Sequence, residues 1–443
     1  MSVVERGARD DKLERLVSLH GVLLGATREW ARGGQPGPGV AAARHEAILL
    51  NHQRYVDLVP AYRRLAQREG VAGPAPLEVI VNGLLLHDLF KSYEPAWLEG
   101  RDFEALTGWL DGVCARAPGI DTAGIGDIGT WRERLRAGGL FLSFSSGTSG
   151  RLSFVPRDLL TWKALVGNGA SYTDESWRAA PDGGLREFDC LVAGPRSGGM
   201  GILDAGAGLA RIAARSHFLF DRVLTADAVR ELGPGAAAPP GAWADAAGEL
   251  DAAYARALDF LRQGAAAGRL LLVFGAPFQV KRLCERVAAA GRVELAPGSL
   301  VVTGGGWKSF GGEQLPRAEL LRLVRESLDV DAARCIDAYS TSELNCTFRT
   351  CSEGRYHVPP LIEPVVLDEA LLGFPGRPGQ GLLAFLDPFA ASYPGFVISG
   401  DLGSLDQGRC GCGLQGWFID GEIRRAEGME IRGCGGVLES ISV

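Results

Sequence analysis

Apolar positions recur every three or four residues through the first part of the chain. In "KLERLVSLHGVLLGATREWAR", "HEAILLNHQRYVDLVPAYRRLAQREG" and "DFEALTGWLDGVCARA" they line one side of each segment, which predicts amphipathic helices. "GGQPGPGV" predicts the loop between the first two. The texture changes at Gly138. Short apolar runs closed by small residues now follow one another: "LFLSFSSG", "FDCLVAGP", "RLLLVFGAP", "SLVVTGGG", "CIDAYST". Helical segments such as "FQVKRLCERVAAAG" and "RAELLRLVRESL" separate them. This alternation of strand, small-residue loop and helix predicts an α/β protein. Loops at the carboxyl ends of such strands are where α/β proteins bind ligands. The Pro- and Ala-rich "LGPGAAAPPGAWADAAGELDAA" predicts a surface loop running into a helix. Three regions are expected: a helical N-terminal region (1–137), an α/β core (138–398) and a glycine-, charge- and cysteine-rich C-terminal part (399–443).

Composition narrows the function. The chain has 443 residues, 46% of them apolar, enough for a sizeable core and more than one structural unit. A net charge of −7 leaves no broad basic face, which argues against nucleic acid as a partner. No apolar run reaches the roughly 20 residues of a membrane span. The opening "MSVVERGARDDKLERLV" lacks the apolar core of a signal peptide, so a cytoplasmic protein is expected. Nine cysteines cannot all pair, and in that compartment they read as metal ligands, buried thiols or a nucleophile. The five lysines are Lys12, Lys91, Lys163, Lys281 and Lys308, so a mechanism that needs an ammonium group has few candidates.

Candidate chemistry begins in "FLSFSSGTSGRLSFVPRD", Phe141–Asp158. The small residues Ser145, Ser146, Gly147, Thr148, Ser149 and Gly150 can bring backbone N–H groups and hydroxyls close to an anion, with Arg151 placed to cover added charge. By itself the stretch reads rather more readily as a surface turn, since Ser- and Gly-rich turns are common. Three other stretches accompany it: "GGGW" at Gly304, Gly305, Gly306 and Trp307, "YSTSE" at Tyr339–Glu343, and "SGDLG" at Ser399–Gly403. The four, in this order, resemble the phosphate loop, glycine turn, Tyr-Gly-x-Thr-Glu motif and Thr-Gly-Asp motif of the adenylate-forming superfamily, which includes the acyl-CoA synthetases.

That resemblance implies the N-terminal-domain fold of an adenylate-forming enzyme, with mixed sheets flanked by helices. It also implies joining of a carboxylate to the α-phosphate of ATP with release of pyrophosphate. Tyr339 and Ser340 would lie on the adenine side, Thr341 would bond the α-phosphate, Glu343 would hold Mg²⁺, and Asp401 would accept from the ribose hydroxyls. The usual Pro-Lys after the serine loop is replaced by Arg151-Leu152-Ser153. The hinge corresponds to Arg424–Gly433, and the lid domain with its lysine is expected to be truncated, leaving Lys308 or Arg425 to supply positive charge. Within the superfamily the chain resembles most the acyl-protein synthetases of bacterial bioluminescence. The residues that carry this are Gly305–Lys308, Tyr356–Pro360, "NHQRYVDLVPAYRRL", "LFKSY" and a cysteine near the end, Cys434 in "EIRGCGG". The resemblance implies transfer of the acyl group from acyl-AMP to a thiol: Cys434 itself, or else coenzyme A or a carrier protein. An amine acceptor and a non-catalytic nucleotide-binding scaffold stay open, and a reductase is a possible acceptor partner by the same analogy.

A metal centre is also readable. Cys351 and His357 lie close in "CSEGRYH", and Cys410 and Cys412 in "CGCG". Two local pairs of soft or borderline ligands suit tetrahedral zinc, with Cys346 as a rival to His357. Phenylacetate-CoA ligases carry a similar set. Cys114, Cys190, Cys284 and Cys335 sit among apolar residues and are expected in the core. The acid is expected between "LVAGPRSGGMGILDAG", "FGAPF" and "GGGW", where Phe278 and Trp307 either line a pocket or simply pack the interior.

Overall fold

The computed structural model describes residues 11–116, 119–145, 151–171, 175–178, 180–198, 200–223, 247–307 and 314–426. The first 137 residues carry the expected helices: α1 (Asp11–Ala31), α2 (Gly39–Leu58), α3 (Pro60–Arg68), α4 (Leu77–Gly83), α5 (Pro95–Glu99), α6 (Phe103–Val113) and α7 (Ile128–Ala137). Local chemistry sets several boundaries. Pro60 and Pro95 open α3 and α5, where a missing N–H costs nothing. Asp102 caps α6 by accepting from Ala105 N, and Asp127 caps α7 by accepting from Thr130 N.

Beyond Gly138 the chain is mixed α/β. A hairpin, β1 (Leu140–Ser145) with β2 (Ser153–Asp158), stands apart from the main sheet and leads into α8 (Leu159–Ser171). The main sheet takes β3 (Phe188–Ser197), β4 (Arg215–Val223), β5 (Leu270–Gly275), β6 (Leu300–Gly304), β7 (Cys335–Tyr339), β8 (Phe348–Thr350), β9 (Tyr356–Val358), β10 (Glu363–Leu367), β11 (Gly379–Leu386), β12 (Phe396–Arg409) and β13 (Gln415–Arg425). Their order is β10-β11-β12-β13-β9-β8-β7-β6-β5-β3-β4. One half, from β7 to β4, is parallel; the other, from β10 to β8, is antiparallel. β5 reads "LLLVFG" and is buried throughout, as a parallel strand covered on both faces must be. Helices α9 (Gly201–Ile212), Ala247–Ala266, Pro277–Ala289 and Arg317–Leu328 lie between the parallel strands in sequence. Cys190, Cys284 and Cys335 lie in the core around this half, and Cys114 is buried among the N-terminal helices.

The change of texture at residue 138 is not a gap in the core. One apolar cluster joins Tyr55, Tyr62 and Trp131 of the helices to Phe144 and Phe154 of the hairpin and Leu382 and Phe396 of the sheet. Polar anchors tie the same parts. Buried His20 of α1 bonds Pro388 O at 2.8 Å through Nε2, and Asn51 of α2 donates to the same carbonyl at 2.7 Å. Among the described residues no helix is long and apolar enough to cross a membrane.

Burial pushes the His20 pKa down from 6.5 to about 4, only partly countered by the Pro388 carbonyl. The unfolded chain therefore takes up a proton at this position before the folded chain does. Stability is full above pH 6.5 and falls as pH drops toward 4, with a ceiling of about 3 kcal/mol from this residue. Urea denaturation of wild type and His20→Gln across this window is expected to show a shallower pH slope in the variant.

Candidate active site

The site forms where the parallel half of the sheet meets the antiparallel half. β8 pairs with β7 only at Ala338 and Tyr339, so the chain leaves the carboxyl end of β7 freely into the turn Ser340–Asn345. Gly304, at the end of β6, is level with Ala338. Gly305 and Gly306 follow at φ 77° and 65°, left-handed values that glycine adopts without a Cβ clash. A Cβ at Gly305 would stand 3.1 Å from Ile202 Cδ1 of α9, so this turn packs closely on the helix after β3.

Tyr339 reaches across to β12. Its hydroxyl donates to Asp401 Oδ2 at 2.9 Å, and Arg425 Nη1 donates to Asp401 Oδ1 at 3.1 Å and to Ser399 O at 3.0 Å. Burial, then the Asp401 charge, raises the Tyr339 pKa well above 10, so the phenol stays a donor. Gly400 has φ 72°, and a Cβ there would lie 3.0 Å from the Arg425 guanidinium. Glycine is thus required for Arg425 to close over the strand. Ser340 is exposed, and its hydroxyl donates to Cys346 O at 2.8 Å. The buried Thr341 Oγ1 has no hydrogen-bond partner among the described residues.

Glu343 connects this edge to the hairpin. Ser153 Oγ, opposite Ser145 in the β1–β2 register, donates to Glu343 Oε1 at 3.2 Å. Phe144 bridges Met200, just before α9, and Ser153 bonds Glu343, so the end of the hairpin where β1 leads into the serine stretch lies between the β3–α9 turn and the turn after β7. Arg151 donates to Tyr93 O and lies 5.4 Å over the Tyr93 ring, while Tyr93 OH donates to Leu152 O at 3.0 Å. The residues Ser146, Gly147, Thr148, Ser149 and Gly150, together with Lys308 and Cys434, lie outside the described residues.

A buried network that the sequence did not announce fixes the turn. Arg157 Nε donates to Asn345 Oδ1 at 2.8 Å, and its Nη2 donates to the carbonyls of Ser342 and Leu344. Asp387 accepts from Asn345 N, Asn345 Nδ2 and Phe389 N. Tyr393 OH donates to Glu343 O at 2.8 Å. Arg157 and Asp387 are 1% and 0% exposed, so charges are spent on holding main chain. Burial raises the Asp387 pKa against the pull of its N–H donors. These residues come from β2 and from the β11–β12 connection, far from "YSTSE" in sequence, and only the proline- and aromatic-bounded "DPFAASYPG" hints at a built loop.

A second cluster lies on neighbouring hairpin turns. β9 pairs with β13, which places the β8–β9 turn beside the β12–β13 turn. Cys351 Sγ is 3.8 Å from Cys410 Sγ, and Cys412 Sγ is 3.3 Å from His357 Nε2. The four ligand atoms lie within 4.8 Å of one another, an arrangement that could hold a metal ion. A tetrahedron with metal–sulfur bonds of about 2.3 Å has sulfur–sulfur edges of about 3.8 Å. Cys346 is instead fully enclosed in apolar core and takes no part. Burial lowers the His357 pKa to about 4, so the imidazole is neutral and able to ligate. Trp30 of α1 donates to Gln415 O at 2.8 Å and backs this corner.

Three of the stretches that suggested adenylate formation, Gly304–Trp307, Tyr339–Glu343 and Ser399–Gly403, thus lie along β6, β7 and β12 of one sheet, and of the serine stretch only Ser145 is among the described residues. Residues 248–441 match the family model described as Acyl-protein synthetase, LuxE. The long-chain-fatty-acid–luciferin-component ligase of Aliivibrio fischeri is 33% identical over 141 residues, 31% of this chain and 37% of that protein. The Vibrio harveyi ligase of the same name is 30% identical over 138 residues, 31% and 36% respectively. The matched region thus spans little more than a third of those curated relatives. Among solved structures, coronafacic acid ligase from Pectobacterium brasiliense is similar at a TM-score of 0.34 and 12% identity, over 61% of this chain and 44% of that one. A red-emitting luciferase from Phrixothrix hirtus is similar at 0.33 and 15%, over 61% and 54%. Both likenesses are too distant to argue from.

Asp387→Ala would strip acceptors from two buried backbone N–H groups and the Asn345 amide. A loss of at least about 2 kcal/mol is expected in urea denaturation.

Proposed function

We propose that this protein activates a carboxylic acid with ATP and passes the acyl group to a thiol. A carboxylate oxygen attacks the α-phosphorus, the bond to the bridging oxygen breaks, and pyrophosphate leaves. The thiolate sulfur then attacks the acyl carbon, and AMP departs with the electron pair of the C–O bond. The observation that carries this reading is the meeting of Tyr339, Thr341, Glu343, Asp401 and Arg425 beside the foot of the serine loop. Thr341 brings a buried hydroxyl free to donate to the α-phosphate, and Glu343 offers the hard carboxylate oxygen that Mg²⁺ prefers. Arg425 supplies fixed positive charge where two anions must approach. Asp401 can take the ribose hydroxyls by exchanging the Tyr339 phenol for them. Long-chain fatty acids are the first substrates to try, because the curated relatives are named for them. Cys434 is our candidate acceptor thiol.

Zinc is the ion proposed for Cys351, His357, Cys410 and Cys412, because three thiolates and a neutral imidazole form a closed site of the structural kind. It would clamp two hairpin turns below the nucleotide edge and take no part in the chemistry. Elemental analysis is expected to find one zinc per chain, lost in Cys412→Ser along with a lower melting temperature; a metal-free protein of unchanged melting temperature would dismiss the site.

Pyrophosphate release that depends on both ATP and a fatty acid is the central test. Glu343→Gln is expected to reduce it at least about 100-fold, the scale of lost electrostatic stabilisation at a reacting centre. Cys434→Ser should leave pyrophosphate release intact and abolish hydroxylamine-labile acylation of the protein. Persistent acylation would move the acceptor elsewhere, and silence across fatty, aryl and amino acids would favour a binding scaffold.

A further inference from the structure

The segment "HDLFKSY", His87–Tyr93, has no role in the chemistry above, yet it is built into the wall of the site. Leu86 N donates to Phe396 O at 2.8 Å and Leu86 O accepts from Ile398 N at 2.9 Å, so the segment runs beside the first residues of β12, just ahead of Ser399–Asp401. Its other end, Tyr93, holds Arg151 and Leu152 at the foot of the serine loop. Lys91 lies between these two attachments.

Asp88 shapes the segment. Its backbone is left-handed, φ 61° and ψ 9°, a conformation uncommon for a residue with a Cβ. The carboxylate thereby meets both neighbours: Oδ2 lies 3.0 Å from His87 Nδ1, and Oδ1 lies 3.0 Å from Lys91 Nζ. The Lys91 side chain is only 14% exposed, whereas Asp88 is 53% exposed. The ammonium is therefore aimed by a carboxylate that itself faces solvent. Phe90, next to Lys91, packs edge-on against Tyr393 with ring centroids 5.3 Å apart, and the Tyr393 hydroxyl donates to Glu343 O, so the segment borders the turn that carries Glu343.

The other described lysines have different surroundings. Lys12 pairs with Asp57 on the N-terminal helices, Lys281 pairs with Glu285, Lys163 is exposed on α8, and Lys308 lies outside the described residues. Arg151, the expected stand-in for the lysine after the serine loop, is bonded to the Tyr93 carbonyl and stacked on its ring. It acts as a tie that holds the loop's foot.

We infer that Lys91 binds the β- and γ-phosphate end of ATP, delivering from the N-terminal helical region the cation that adenylation needs beside Glu343 and Arg425. The inference rests on the nucleotide reading above. A compact ammonium with three donors suits a terminal phosphate, and Asp88 holds it near its working position before ATP arrives.

Calorimetric titration of wild type, Lys91→Met and Lys91→Arg with Mg-ATP and with AMP tests it. Lys91→Met should weaken ATP binding about 10- to 100-fold, the worth of a charge-assisted bond to phosphate. AMP, which lacks the two outer phosphates, should bind nearly as in wild type. Lys91→Arg should recover most of the ATP affinity, and all three proteins should melt alike. Equal ATP affinity in wild type and Lys91→Met overturns the inference. So does a parallel loss of ATP and AMP with a lower melting temperature, which would make Lys91 a structural prop. Wild type that binds no ATP at all rejects the nucleotide reading itself, and this inference with it.

Discussion

A pair of buried charges decides where the turn after β7 can go. Arg157 and Asp387 approach from opposite sides of the chain and meet around Asn345. Removing two charges from water is costly, and the cost is met only if nearly every donor and acceptor finds a partner. Here most of those partners are main-chain groups of Ser342, Leu344, Asn345 and Phe389. The arrangement that satisfies the charges therefore also fixes the backbone, and Glu343 has little freedom to leave the hairpin. Geometry of this kind, held before substrate arrives, is what electrostatic catalysis requires.

The helical N-terminal region takes part in the same scheme. His20 and Asn51 both bond Pro388 O, beside Asp387, and Tyr55 donates to Ala390 O at 2.5 Å. The loop that braces the site is thus itself braced from behind. Cys351, His357, Cys410 and Cys412 lie on the other flank, where an ion bound to them would join the turn between β8 and β9 to the turn between β12 and β13. Neither support reaches the nucleotide edge directly. Each limits the movement of a strand, β9 or β12, that shares the sheet with it.

Asp401, which we propose for ribose binding, already has a structural task. Both of its oxygens are occupied by Tyr339 and Arg425, and it is almost fully buried. A ribose would enter by replacing a bond of similar kind, so the carboxylate never has to be left bare. The same residues hold β7, β12 and β13 together when no nucleotide is there.

Much of this was legible in the linear chain. The period of apolar residues placed the N-terminal helices, because a stripe every three to four residues can be buried in only one way. Runs such as "LLLVFG" placed parallel strands, since only a strand covered on both faces is apolar throughout. Gly304–Gly306, "YSTSE", "SGDLG" and the Cys351, His357, Cys410 and Cys412 set could be singled out because their chemistry is local to a few residues. What the sequence could not supply was distance across the fold. That His357 and not Cys346 joins the thiols follows from the pairing of β9 with β13, which turns one inward to the cluster and leaves the other in apolar core. That Arg151 ties down Tyr93, that Arg157 and Asp387 hold the turn, and that "LFKSY" packs Phe90 on Tyr393 depend on contacts between segments tens to hundreds of residues apart. Periodicity and motif spacing carry no information about such contacts; sheet order and close packing do.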